Sequence, residues 1–207
     1  MSLPYDFDAA SATLAQTDPE LARLIDQVKP LRLETRALGN PFVQLVRSIT
    51  YQQLSTKAAG TIHGRMLALF PDSDHPSPEQ ILETPDETLR SAGLSRAKTR
   101  AIKDLAAKTV EGIVPTSEAL TTMDNAAIID RLTQVWGVGQ WTVEMLLIFY
   151  LGRPDVLPVA DLGVRKGFMI AYGLDDLPSP SELRDYGIRW QPYRSVASWY
   201  LWRANDL

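Results

Sequence analysis

The chain has no cysteine, which excludes disulfides, thiolate zinc sites and cysteine-ligated iron–sulfur clusters. Histidine is nearly as scarce. His63 on a predicted helix and His75 in a loop show no metal-ligand spacing, so no catalytic metal is expected. No apolar run reaches the ~18–20 residues that a membrane-spanning helix needs, although 45% of the 207 residues are hydrophobic. The opening stretch MSLPYDFDAASATLAQ holds neither a basic n-region nor a continuous apolar h-region. The expectation is a cytoplasmic protein with no secretory signal and no membrane partner. Strict apolar–polar alternation is missing as well, so no strand is predicted. Nor is there an excess of positive charge: 21 Lys and Arg stand against 25 Asp and Glu, a formal net charge of −4. The sum by itself does not point to nucleic acid. Its distribution says more, because acidic residues gather in turn-like stretches such as PDSDHPSPEQ, whereas basic residues cluster in GLSRAKTRAIKDLAAK, GVRKG and RWQPYRSVASWYLWR.

What is present is helix after helix with short polar punctuation. Asp18-Pro19, Ser77-Pro78, Asp124, Ser179-Pro180 and Gln191-Pro192 place a capping residue or a proline where a helix opens. Ser77 and Gln80 have capping-box spacing. Gly39, Gly93, Gly112, Gly152 and Gly173 follow apolar-periodic runs, as glycines just past a helix end do. These signals predict helices over about 19–28, 41–53, 55–70, 78–83, 86–92, 96–110, 116–121, 124–134, 140–151, 162–172, 180–187 and 192–204. The stretch WTVEMLLIFYL (141–151) is apolar around almost its whole circumference, with Glu144 its only charge, as a helix buried in the middle of a larger helical assembly would be.

Just before that helix stands QVWGVGQWT (134–142). A tight turn between helices needs glycine, and a Gly-Val-Gly turn leaves backbone N–H groups facing outward at the start of the second helix. With the helix dipole they form a site suited to a phosphate; an ordinary αα-hairpin turn accounts for the same residues. Val138 would tuck inward. Further on, Asp161 in PVADLGVRKGF reads as the N-cap of the helix from Leu162, and a carboxylate so placed is also useful where positive charge develops.

The string LTQVWGVGQWTVEMLLIFYLGRPDVLPVADLGVRKGF resembles the helix-hairpin-helix motif, Gly/Pro-rich loop and aspartate of the DNA glycosylase superfamily, and in detail is similar to the 3-methyladenine DNA glycosylase II family, which removes alkylated purines. FVQLVRSITYQQLSTKAA (42–59), AGLSRAKTRAIKDLA (92–106) and WQPYRSVASWYLWR (190–203) fit the same family in the same order. The resemblance implies an all-α fold with two helical subdomains flanking a cleft. One would span about 1–50 plus 160–207 and the other about 51–159, with the hairpin and Asp161 at the cleft edge.

It also implies site roles. Gly137, Val138, Gly139 and Gln140 would grip the DNA backbone through hairpin amides, with Arg96 and Lys98 as further phosphate contacts. A monovalent cation, Na+ or K+, accompanies the hairpin carbonyls in the family; no other cofactor is implied. Asp161 would stabilise the oxocarbenium character that builds at C1′ as the base departs. Trp141 occupies the place where glycosylases that also cut the strand carry a nucleophilic lysine. A monofunctional enzyme is therefore implied, with Trp141 and, as lesser candidates, Phe42, Tyr51 and Trp136 holding a flipped cationic base. Gln52, Gln53 and Leu54 are candidates for the wedge that fills the gap left by the flipped nucleotide. The expected partner is duplex DNA carrying alkylated bases, met by a monomer. Two rival readings are a glycosylase/lyase using another amine such as Lys166, and a non-catalytic helix-hairpin-helix module that binds DNA structure.

Overall fold

Side-chain caps set most of the helix starts in the computed structural model, which describes residues 3–36 and 39–207. In chain order the first seven helices are α1 (Phe7–Thr17), α2 (Pro19–Val28), α3 (Pro41–Tyr51), α4 (Thr56–Leu67), α5 (Pro78–Glu83), α6 (Asp86–Ser91) and α7 (Arg96–Val110). Then come α8 (Ser117–Thr122), α9 (Asn125–Leu132), α10 (Gln140–Phe149), α11 (Leu162–Ala171), α12 (Pro180–Tyr186), a 3-10 turn (Gly187–Trp190) and α13 (Arg194–Ala204). No strand occurs among the described residues, and none of the helices is long and apolar enough to cross a membrane. Asp18, Asn40, Ser55, Ser77, Ser95, Thr116, Asp124, Asp161 and Ser179 each accept a hydrogen bond from a first-turn amide, satisfying donors that the helix leaves open. Ser77 and Ser179 both complete capping boxes, with Gln80 and Glu182.

Three expectations need correction. Helix α1 lies within the opening stretch where no helix was expected. Asp6 caps it, and Phe7, Ala10, Ser11 and Leu14 form its buried face, small residues muting the apolar periodicity. Gly39 does not end a helix: α2 closes at Val28, no helix is assigned over 31–36, and α3 follows at Pro41. Gly93, Gly112, Gly152 and Gly173 do follow helices, all with positive φ. Pro192 does not open the last helix, because the Tyr193 N–H is spent on the Trp190 carbonyl (2.7 Å) and α13 starts at Arg194.

The chain divides into two compact units, one of residues 1–37 and 144–207, the other of residues 38–143. These limits differ from those read in the sequence, since α3 packs on α4 and α7 and so belongs with the second unit, and the second crossing falls inside α10. In the first unit α13 is central, packing on α11, α2 and α1, and its residues Ser195–Leu201 are all buried. The N-cap Asp18, itself buried, also accepts from the Tyr172 hydroxyl (2.6 Å) and the Trp190 indole (2.8 Å), which satisfies a carboxylate that would otherwise be costly inside. In the second unit α7 is the spine, carrying α3, α5 and α6 around a core that includes Leu45, Ile49, Ile81, Leu89, Ile102 and Leu105.

Candidate functional site

The hairpin is formed by α9, the turn 133–139 and the start of α10. Gly137 takes φ +83°, and a Cβ there would stand 3.0 Å from the Ala101 Cβ, so the turn both requires the left-handed region and leans directly on α7. Val138 is buried, as expected, and its amide donates to the Val135 carbonyl (3.0 Å). Its N–H is therefore committed internally and does not belong among the outward amides. Those of Gly137 and Gly139 have no acceptor among the described residues, and both glycines are exposed. The Thr142 and Val143 amides fold back onto the Gly139 carbonyl. Trp136 braces the turn: its N–H donates to Asp104 Oδ2 (2.7 Å) and its ring lies under the Arg100 guanidinium at 4.4 Å. Arg100 was not singled out in the sequence, where it is one of five basic residues in one helix.

The turn after α3 is joined to the hairpin. The Gln52 side chain donates to the Gly137 carbonyl (3.1 Å), and Lys98 Nζ donates to the carbonyls of Thr50 (2.7 Å) and Gln52 (2.9 Å). Lys98 thus satisfies the open carbonyls at the C-terminus of α3, where a cation also complements the helix dipole. Two of the three ammonium donors are thereby engaged within the protein. Partial burial lowers its pKa by desolvation. Of the three wedge candidates, Gln52 is held by the hairpin. Gln53, with φ +55°, and Leu54, 41% exposed, are both exposed in this turn. Arg96 is exposed at the start of α7.

The aromatic candidates separate clearly. Phe42 is only 2% exposed, packed with Val46 and Met66 around a small apolar cavity that His63 and His75 also line, and is a core residue rather than a base platform. No group of metal-ligating side chains occurs among the described residues, these histidines included. Burial, with Arg47 nearby, pushes the His63 pKa down. Tyr51 carries the Arg47 guanidinium over its ring at 4.3 Å and meets His63 edge-on. Trp141, in the first turn of α10, is 46% exposed.

Asp161 caps α11 as its sequence context predicts, Oδ1 accepting from the Val164 amide (2.8 Å). The same oxygen accepts from Trp202 Nε1 (2.8 Å), on the last helix. The sequence carries no sign of this bond, because a residue 41 positions away leaves no periodic signal of a hydrogen bond. The indole lies against Phe149 at 5.6 Å between centroids. Arg194 makes a two-point ion pair with Asp155 (2.6 and 2.9 Å) and is an internal partner.

The protein named DNA-3-methyladenine glycosylase 1 of Schizosaccharomyces pombe is 36% identical to this chain over 187 residues, covering 90% of the chain and 81% of that relative. The solved structure of Schizosaccharomyces pombe 3-methyladenine DNA glycosylase (Mag1) in complex with abasic DNA superposes with a TM-score of 0.85 at 35% identity, covering 96% of this chain and 97% of that one. A DNA-3-methyladenine glycosidase from Bacillus halodurans gives 0.84 at 37% identity, covering 94% and 88%. The family model of the HhH-GPD superfamily matches residues 46–192, a stretch that holds both the hairpin and Asp161. By that match the chain belongs to the HhH-GPD superfamily of base excision DNA repair proteins.

Proposed function

We propose that this protein is a monofunctional DNA glycosylase that hydrolyses the N-glycosidic bond of alkylated purines, 3-methyladenine among them, in duplex DNA. The observation that carries the reading is the Asp161 carboxylate, fixed in direction by a backbone and an indole N–H. Alkylation makes the purine cationic, so the C1′–N bond breaks with its electron pair leaving on a neutral base. Positive charge develops on the sugar, where a fixed carboxylate stabilises it. Water then bonds C1′ and releases a proton, leaving an abasic site. So labile a bond needs little acid catalysis, which suits chemistry resting on the one carboxylate of Asp161.

Trp141, 46% exposed in the first turn of α10, is the platform for the flipped base, while Tyr51 and Trp136 each carry an arginine over one ring face. Cation–π attraction there contributes about 1–2 kcal/mol for a desolvated cationic base. The outward amides of Gly137 and Gly139 hold the DNA backbone, and Gln53 and Leu54 form the wedge. A sodium or potassium ion at the hairpin would use the remaining lone pairs of the Val135 and Gly137 carbonyls, each of which accepts one hydrogen bond. It would supply positive charge towards a phosphate.

The test is release of methylated purines from duplex DNA by the wild type and Asp161→Asn. Loss of about 100–1,000-fold in rate, as for removal of one electrostatic group, with DNA binding intact supports the assignment. Equal rates would remove Asp161 from the chemistry. A covalent DNA adduct trapped by borohydride would show a lyase instead.

A further inference from the structure

Gly163 stands at the second position of α11 in ordinary helical geometry, where alanine would be the better helix former. Backbone conformation does not call for a glycine there. Space does. A Cβ on Gly163 would lie 2.9 Å from Trp202 Cδ1, 3.2 Å from Trp202 Nε1 and 3.1 Å from Asp161 Oδ1, against the two groups that share the Asp161–Trp202 hydrogen bond. The helices have no slack to absorb it, since a Cβ on Gly167 one turn later would overlap the Leu201 carbonyl of α13. Phe149 lies against the indole as well. The carbonyl of Gly163 is itself tied down: Asn205 Nδ2 donates to it (2.9 Å) and also reaches the Leu201 (3.2 Å) and Trp202 (3.1 Å) carbonyls. Asn205 therefore joins the first turn of α11 to the end of the helix that carries Trp202.

We propose that Gly163 and Asn205 are positioning residues that set the direction of the Asp161 carboxylate through Trp202. The proposal rests on the reading of Asp161 as the group facing the reacting sugar. Gly163 acts by leaving room for the indole, and Asn205 by fixing the relative height of the two helix ends. Neither touches the substrate. Their effect belongs to the bond-breaking step and not to DNA affinity.

The experiment compares Gly163→Ala, Asn205→Ala, Trp202→Phe and Asp161→Asn, with Gly163→Ala and Asn205→Ala also made in the Trp202→Phe background. Single-turnover base release is followed on a duplex containing N7-methylguanine, affinity on a duplex containing an abasic site, and folding by the thermal midpoint. Gly163→Ala is expected to slow release on the order of 10–100-fold, the range set by misplacing a reacting group by about an ångström. Asn205→Ala slows it by a smaller factor. Affinity stays near wild type in both, while the thermal midpoint falls, as overpacking and a lost hydrogen bond require, with both variants still folded at the assay temperature. In the Trp202→Phe background each change adds less than about twofold, because residues acting through one partner are not additive. Wild-type release by Gly163→Ala and Asn205→Ala, or losses that multiply in full with Trp202→Phe, would overturn the proposal. Should Gly163→Ala fail to fold, the Asn205→Ala cycle decides alone. Undiminished release by Asp161→Asn would remove the underlying reading, and the proposal with it, whereas collapse there with an additive cycle overturns the positioning role only.

Discussion

Trp202 and Asp161 share a hydrogen bond of 2.8 Å from the indole Nε1 to the carboxylate Oδ1 that also caps α11. A cap alone would hold the carboxylate from one side, by the amide of its own helix. The indole adds a donor from a different helix and so fixes its direction. Trp202→Phe keeps most of the packing against Phe149 and removes only the donor. Base release is expected to fall on the order of tenfold, the worth of one hydrogen bond to a charged group. Single-turnover rates alongside abasic-DNA affinity check this, and a fall in affinity with an unchanged rate would contradict it.

Lys98 and Arg96 lie two residues apart on α7 but have different partners. Lys98→Met removes two hydrogen bonds at the end of α3 and should cost about 1–3 kcal/mol of stability, while leaving the salt dependence of DNA binding as it is. Arg96→Ala should leave the melting temperature unchanged and reduce the slope of log affinity against log salt by about one. Melting curves and binding titrations over a salt series separate the two. Identical behaviour of the variants would refute the distinction.

The hairpin glycines differ in the same manner. Gly137 has φ +83° and the Ala101 Cβ 3.0 Å from where its own Cβ would be, whereas Gly139 has ordinary φ and no atom within 4 Å. Gly137→Ala should therefore lose about 1–2 kcal/mol of stability from the left-handed backbone alone. Gly139→Ala should melt within ~0.5 kcal/mol of wild type yet bind DNA more weakly, since its outward surface meets the DNA backbone in the proposed complex. Wild-type DNA affinity in Gly139→Ala would take that residue out of the interface.

Alkaline pH should unfold the protein through its buried phenols. Burial first, then the hydrogen bond to Asp18, pushes the Tyr172 pKa far up, and burial raises Tyr5 to about 12. In the unfolded chain both titrate at the ordinary value of 10.0. Their contribution to stability is complete below that value and is lost as pH rises beyond it, because only the unfolded chain then releases the proton. Tyr172→Phe should cost about 1–2 kcal/mol at pH 7 through the lost bond to buried Asp18, and show a shallower decline above pH 10. Denaturant melts from pH 8 to 12 measure both; an unchanged alkaline slope would exclude Tyr172 as the titrating group.

Local chemistry in the sequence determined a great deal of this protein. Caps at Asp18, Ser77, Asp124, Asp161 and Ser179 act on amides within three residues, so their effect is readable from neighbours alone. The buried helix after the hairpin, the inward Val138 and the order of the family's motifs were likewise visible, because periodicity and spacing are properties of the chain itself. Tertiary structure alone decided the rest. Trp202 reaches Asp161 across 41 positions, Lys98 reaches Thr50 across 48, and Gln52 reaches Gly137 across 85. Helix α1 is stabilised by a face of Phe7, Ala10, Ser11 and Leu14 whose value depends on the α13 and α2 surfaces it meets. A side chain's neighbours in sequence reveal its propensity and its hydrophobic face. Which carbonyl, ring or carboxylate its polar atom finds depends on how helices distant in sequence pack together.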